Sequence, residues 1–296
     1  MMKRLDRTEI IFKIVSYALL TVFALACLYP LLFVLFSSIS SYEGVEQGKI
    51  WLFPDTFNPY AYRYVFVSDH AKDFWLSYCY SLFITMYGTL VSMLVGICGA
   101  YALSKPRLIW GRGFNFLLVF TMWFNAGLIP TYQNFKNFHV DNIYMFIIAL
   151  GFNAFNIILL RNYFSSVPTE IEEAATIDGA TEFQILLRVY VPMSKSSIIT
   201  VAMFYAVARW NGYMWASMLL NKTQPLTQFI REQVKSIEDD ISGSGLDVTN
   251  PDIGYGFSTY SLRYAYVVLS IIPVIIIYPT LQKYFAAGVN VGGVKE

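Results

Sequence analysis

Six windows of mostly apolar residues, separated by polar connectors, recur along the chain near 12–38, 76–103, 114–133, 143–163, 198–220 and 260–284. A helix that crosses a bilayer needs about 20 such residues, so the pattern predicts an all-α integral membrane protein with six transmembrane helices. We expect one domain over 1–296. The first window is longer than the core of a secretory signal and lacks a small-residue cleavage pattern followed by a soluble domain, so it reads as a retained span. One connector stands apart from the rest. The segment 164–197, between the fourth and fifth windows, far exceeds the usual connection of a few residues and is itself helix-prone.

Within that connector, Thr169 followed three residues later by Glu172 has the form of a capping box, which places a helix start at Thr169. Three glutamates, Glu170, Glu172 and Glu173, suit the positive end of that helix, and Gly179 supplies a left-handed stop. Ile171, Ala174, Ala175 and Asp178 then share one face with Ile177 beside them, and the alanines allow close approach by another surface. A second helix is expected from Thr181 through Phe183, Ile185, Leu186 and Val189 to a break before Pro192. The element reads as a helix-turn-helix with a partner docked on it. An amphipathic pair lying on lipid is the alternative, weakened by glutamates that anionic headgroups repel.

Inside the apolar windows, Gly88, Ser92, Gly96 and Ala100 recur every four residues and form a small-residue stripe for close helix packing. Pro273 and Pro279 are expected to kink or locally unwind the last span. A guanidinium at membrane depth, Arg209 in Ala208-Arg209-Trp210-Asn211-Gly212-Tyr213, has two readings: a pore-lining or gating group, or a buried hydrogen-bonding contact between helices or subunits. Asn125, Asn153, Asn156, Asn211 and Tyr213 join it as candidates along a translocation path. Among the outer segments, Leu226 to Ile237 has helix-compatible apolar spacing, whereas Ile241-Ser242-Gly243-Ser244-Gly245 is flexible by composition.

Composition agrees with a bilayer. Hydrophobic residues make up 56% of the chain and charged residues 14%, too much apolar surface for a soluble domain of this length to bury. With the N-terminus inside, twelve Lys and Arg fall on the inner side and eight on the outer, a bias that places both termini in the cytoplasm. The net charge of +1 argues against a nucleic-acid surface. No GxxxxGK[ST], HExxH, GxSxG or CxxC motif is present, so no ATP site, metal site, cofactor or catalytic constellation is expected.

Glu173-Ala174-Ala175, three residues, Gly179, nine residues, then Val189-Tyr190-Val191-Pro192 matches the EAA signature of binding-protein-dependent ABC importer permeases, with valines in place of Ile and Leu. Phe53-Pro54, Asn58-Pro59-Tyr60 and the tail Gly288-Val289-Asn290-Val291-Gly292-Gly293-Val294-Lys295 resemble the carbohydrate-uptake, maltose-type second permease subunit, most of all its oligosaccharide and polysaccharide-fragment subset. That resemblance implies the type I importer fold in the inner membrane of a prokaryote. It implies a second permease, two cytoplasmic ATPases, an extracytoplasmic solute-binding protein and a carbohydrate substrate. In such a complex Glu170, Ile171, Glu173, Ala174, Ala175, Ile177, Asp178 and Gly179 dock on the ATPase, and Gly292, Gly293, Val294 and Lys295 reach between the ATPases. A membrane sensor that uses the same docking loop without moving solute is the competing reading.

Overall fold

The computed structural model describes residues 7–68, 71–124, 126–220, 223–233, 235 and 259–292. Every regular element among the described residues is helical: α1 (Arg7–Ser38), α2 (Tyr42–Glu46), α3 (Tyr60–Val67), α4 (Ala71–Ser104), α5 (Gly111–Trp123), α6 (Leu128–Asn137), α7 (Ile143–Ala149), α8 (Ala154–Phe164), α9 (Thr169–Ile177), α10 (Glu182–Ile185), α11 (Val191–Met193), α12 (Lys195–Asn211), α13 (Met214–Leu219), α14 (226–233) and α15 (Thr259–Gly292). A π-helical turn, Leu186–Tyr190, joins α10 to α11.

Three of these helices, in α1, α4 and α15, are each long and apolar enough to cross a membrane. Three further pairs pass the same test only together: α5 with α6, α7 with α8 at a bend of 55°, and the segment Glu182–Met193 with α12 at a bend of 86°. The last pairing differs from the apolar window at 198–220, because the helix already begins at Glu182 and α12 ends at Asn211 before the short α13. α15 continues through Pro273 and Pro279 as one helix. Each proline there removes a single ladder bond, which one long helix tolerates.

The chain falls into two compact units, 1–73 with 230–272 and 74–229 with 273–296. In the first, α3 is pinned by fully buried Ala61 and Val65 and by a 2.7 Å hydrogen bond between the hydroxyls of Ser38 and Tyr62. Phe33 meets Tyr264 edge-on. Along α1, Phe12, Leu20 and Phe23 are exposed, as befits a helix apolar all round that faces lipid.

Two apolar cores are described within the second unit. One joins Ala100 and Tyr101 of α4, Leu118 of α5, Ile157, Leu160 and Phe164 of α8, Ile185 of α10, Leu186 and Tyr190 of the π-helical turn, and Val201 and Tyr205 of α12. The other joins Ile84, Val140, Phe146, Ala216, Leu219 and Leu220. The small-residue stripe of α4 faces these partners: Ser92 and Ala100 are fully buried, and a Cβ on Gly96 would sit 3.6 Å from Leu160. α14 forms where the spacing from Leu226 predicts it, with Leu226 and Phe229 buried. The continuation at Ile237 and 241–245, with the acidic cluster 238–240, lies outside the described residues.

Candidate functional site: the connector helix and its anchor

α9 begins at Thr169 directly after Pro168, which serves as N-cap without a side-chain hydrogen bond. The capping box expected of Thr169 and Glu172 is absent because the Glu172 carboxylate is engaged elsewhere. The box forms one helix later, where the Gln184 amide donates to Thr181 Oγ1 and the Thr181 amide donates to Gln184 Oε1. At its other end α9 closes with a Schellman motif: the Ala180 amide donates to the Ala175 carbonyl and the Gly179 amide to the Thr176 carbonyl. Gly179 sits at φ +79° with open space where a Cβ would be. The turn therefore demands glycine for its backbone alone.

The faces of α9 divide sharply. Glu170, Glu173, Ala174, Ile177 and Asp178 are exposed, Ile177 at 86%, and Ile171 is exposed at 40%. Ala175, expected on that same presented face, instead packs half-buried against the core. Glu172 turns inward beside it. The presented surface is thus narrower, centred on Ala174 and Ile177.

What Glu172 engages is a polar and aromatic cluster at the end of α4. Pro106 ends that helix by disfavouring helical backbone at the residue before it, leaving Lys105 buried with its Nζ 2.6 Å from Glu172 Oε2. The same Oε2 accepts from the Tyr190 hydroxyl at 2.6 Å, and Lys105 Nζ donates to that hydroxyl at 2.9 Å. The ammonium lies 4.2 and 4.0 Å from the ring centroids of Tyr101 and Tyr190, within cation–π range. Tyr101 donates to Glu182 Oε2 at 2.7 Å, and Arg107 pairs with both Glu172 and Glu182. Arg107 and Glu182 are exposed, so their pair contributes at most about 1 kcal/mol. The buried triad is the stronger tie, because removing one member strands a charge.

Burial raises the Glu172 carboxyl, but hydrogen bonds from Lys105 and Tyr190 and the charges of Lys105 and Arg107 outweigh it and hold its pKa below the ordinary carboxylate value. Burial pulls the Lys105 ammonium down, and Glu172 opposes that pull. Tyr190 reaches the cluster from the π-helical turn that precedes Pro192. Pro192 lacks an amide and crowds the carbonyl four residues back, and a wider turn relieves that crowding. The helix thus passes through Pro192 to Met193, so the break falls at Ser194.

A second polar site lies inside the same unit. Arg209 Nη2 donates to Ser92 Oγ at 2.9 Å, to the Leu150 carbonyl at 3.1 Å and to the Ile147 carbonyl at 3.3 Å. Those carbonyls end α7 at its bend with α8, where the last turn has no intrahelical donors and the helix dipole favours a cation. Gly88 admits the guanidinium: a Cβ there would stand 2.5 Å from Nη1. Asn153 caps α8 by accepting from the Asn156 amide at 3.0 Å, and Asn156 is buried. Asn211 and Tyr213 are exposed where α12 gives way to α13. Asn125 and the tail residues Gly293, Val294 and Lys295 lie outside the described residues, while Gly292 ends α15.

The structure thus gathers Glu170 through Gly179 on α9 and the turn that ends it, with Glu172 and Ala175 turned inward, and places Asn153, Asn156 and Arg209 around the bend of α7 and α8. The sequence reading missed the anchor of Lys105, Tyr101, Tyr190 and Glu182. The available signal is a pair of carboxylates within the connector, Glu172 and Glu182, on either side of the Gly179 turn, with Lys105 and Arg107 among the cations that charge counting assigns to the same side.

A profile of the family described as binding-protein-dependent transport system inner membrane component matches residues 2–291. The polygalacturonan/rhamnogalacturonan transport system permease protein YtcP of Bacillus subtilis is 37% identical over 290 residues, 96% of this chain and 98% of that one. The arabinooligosaccharides transport system permease protein AraQ of Halalkalibacterium halodurans is 26% identical, covering 92% of each. Among solved structures, a chain of a bacterial ABC transporter involved in the import of the acidic polysaccharide alginate superposes with a TM-score of 0.84 at 41% identity, covering 96% of this chain and 99% of that one.

Proposed function

The chain belongs to the binding-protein-dependent transport system inner membrane component family, and on that premise we propose that it passes an oligosaccharide inward beside a second, related permease. As a member of that family it is a membrane transport component rather than an enzyme, and it works with a separate ATPase and a solute-binding protein. In our reading both termini are cytoplasmic, and six spans cross the membrane, three unbroken and three bent. Two ATPase subunits dock below them. Glu170, Ile171, Glu173, Ala174, Ile177, Asp178 and Gly179 form the docking element, with Ala175 behind them against the core, and Gly292, Gly293, Val294 and Lys295 reach between the ATPases. Asn125, Asn153, Asn156, Arg209, Asn211 and Tyr213 lie along or beside the translocation path.

One observation carries this reading: α9 presents Ile177 and its acidic neighbours outward while its opposite side is tied into the bundle. A rigid element of that kind passes a partner's movement to the helices it is tied to, and closure of the ATPase dimer on ATP then biases two discrete arrangements of the spans. The carbohydrate assignment is supported by the two relatives and the solved structure named above, which carry sugar-polymer or oligosaccharide substrates in their names.

Vesicle uptake tests it. The chain reconstituted with its partner permease, ATPase and binding protein should accumulate radiolabelled trigalacturonate or arabinotriose only with internal ATP. ATP hydrolysis stimulated by either sugar without accumulation would favour the sensor instead.

A further inference from the structure

We propose that Lys105 is a positioning residue that couples the connector helix to α4, so that ATPase movement reaches the spans through the Lys105–Glu172–Tyr190 triad. The proposal deepens the docking reading of α9 and rests on it. Three separate pieces of chain meet at one buried point: the end of α4 through Lys105, α9 through Glu172, and the π-helical turn through Tyr190. Five residues of helix separate Glu172 from Ile177, which sets them about 140° apart around the axis. The anchoring side of α9 therefore lies nearly opposite its presented side, and a push on one is resisted at the other.

The geometry is stiff where it needs to be. Glu172 Oε2 is held by two donors at 2.6 Å, and Lys105 is confined between two tyrosine rings. Tyr190 is itself wedged edge-on against Tyr101 and Phe164, 5.0 and 5.7 Å between centroids. Tyr101 and Lys105 lie one helical turn apart, so the load enters α4 at its last turn, on the helix whose small-residue stripe packs along the core. Ala175 is the α9 residue among the partly buried side chains packed on that core, and a methyl group does not by itself fix a helix against sliding.

The test uses the purified complex of this chain with its partner permease and ATPase, and the binding protein carrying the ligand it retains on purification. Basal ATP hydrolysis is compared with hydrolysis after that binding protein is added. For Lys105→Met, the ATPase should still co-purify and basal hydrolysis should stay within about twofold of the unaltered complex, while stimulation falls severalfold, toward none. Lys105→Arg should keep at least half of the stimulation, and the exchange Lys105→Glu with Glu172→Lys should recover part of it. Normal stimulation in Lys105→Met would overturn the proposal. So would loss of the ATPase from Lys105→Met complexes with no recovery in Lys105→Arg, since Lys105 would then serve assembly alone. Failure of the unaltered chain to retain an ATPase would instead sink the docking reading.

Discussion

Two cations of the second unit, Lys105 buried and Arg209 half-buried, sit in opposite settings. Lys105 meets a full carboxylate, a phenol and two ring faces at the joint between a span and the connector. Arg209 donates to a serine hydroxyl and to the carbonyls that end α7. Both cations tie elements distant in sequence, but Lys105 does so through a charge–charge pair at the connector, whereas Arg209 does so by satisfying helix-end carbonyls at a break within one bent span. The two glycines of these regions differ likewise. Gly179 stands in open space at a backbone angle that excludes other residues, and Gly88 is an ordinary helical residue pressed against Arg209. The connector is built to present a face, and the interior is built to close.

The largest expected effect separates presentation from stability. Ile177→Asp should abolish ATPase co-purification and cut uptake at least tenfold, with the thermal midpoint of the isolated chain unchanged, because Ile177 contributes little to the core. A lowered midpoint would erase the distinction between the two regions. Arg209→Ala should do the reverse: it strands Ser92 and two helix-end carbonyls, each charged hydrogen bond contributing about 1.5–3 kcal/mol. A fall of several degrees in the midpoint, with the ATPase retained, is the expected result. Equal stability with lost uptake would make Arg209 a group of the path itself.

Gly88→Ala should cost about 1–3 kcal/mol by overpacking, and the loss should largely disappear when Arg209 is already alanine. Gly179→Ala should cost about 1–2 kcal/mol through its left-handed backbone, independently of Arg209. Denaturation of the three single variants and the two double variants in detergent reads both. The smallest effect is in pH. Because folding depresses the Glu172 pKa below about 4.5, its ionised contribution is present above that value and fades as pH falls through the folded one. The stability gap between the unaltered chain and Glu172→Gln should therefore be full at pH 7 and narrow as acid carries the pH down through the depressed folded value.

Much of this contrast was legible in sequence, and its limits are physical. The helix at Thr169, its glycine stop, the small-residue stripe and α14 all follow from local spacing, and the structure has each of them. The spans are harder. Apolar windows measure composition and not direction, so the bend between α7 and α8 and the early start of the helix before α12 were invisible. Glu172 illustrates the other limit. Locally it fits a capping box, but Lys105, 67 positions earlier, offers it a buried ion pair, and no spacing rule relates positions so far apart. The inward turn of Ala175 follows from that same anchor.

Photo-crosslinking from the presented face tests the central claim most directly. A photoreactive residue at position 177 of the chain in its native membrane should capture a polypeptide that carries a phosphate-binding loop. The same residue at position 52, also exposed and on the outer side in the proposed topology, should not. Capture of that ATPase from position 52, or capture of lipid alone from position 177, would contradict a connector helix that faces the cytoplasm and docks there.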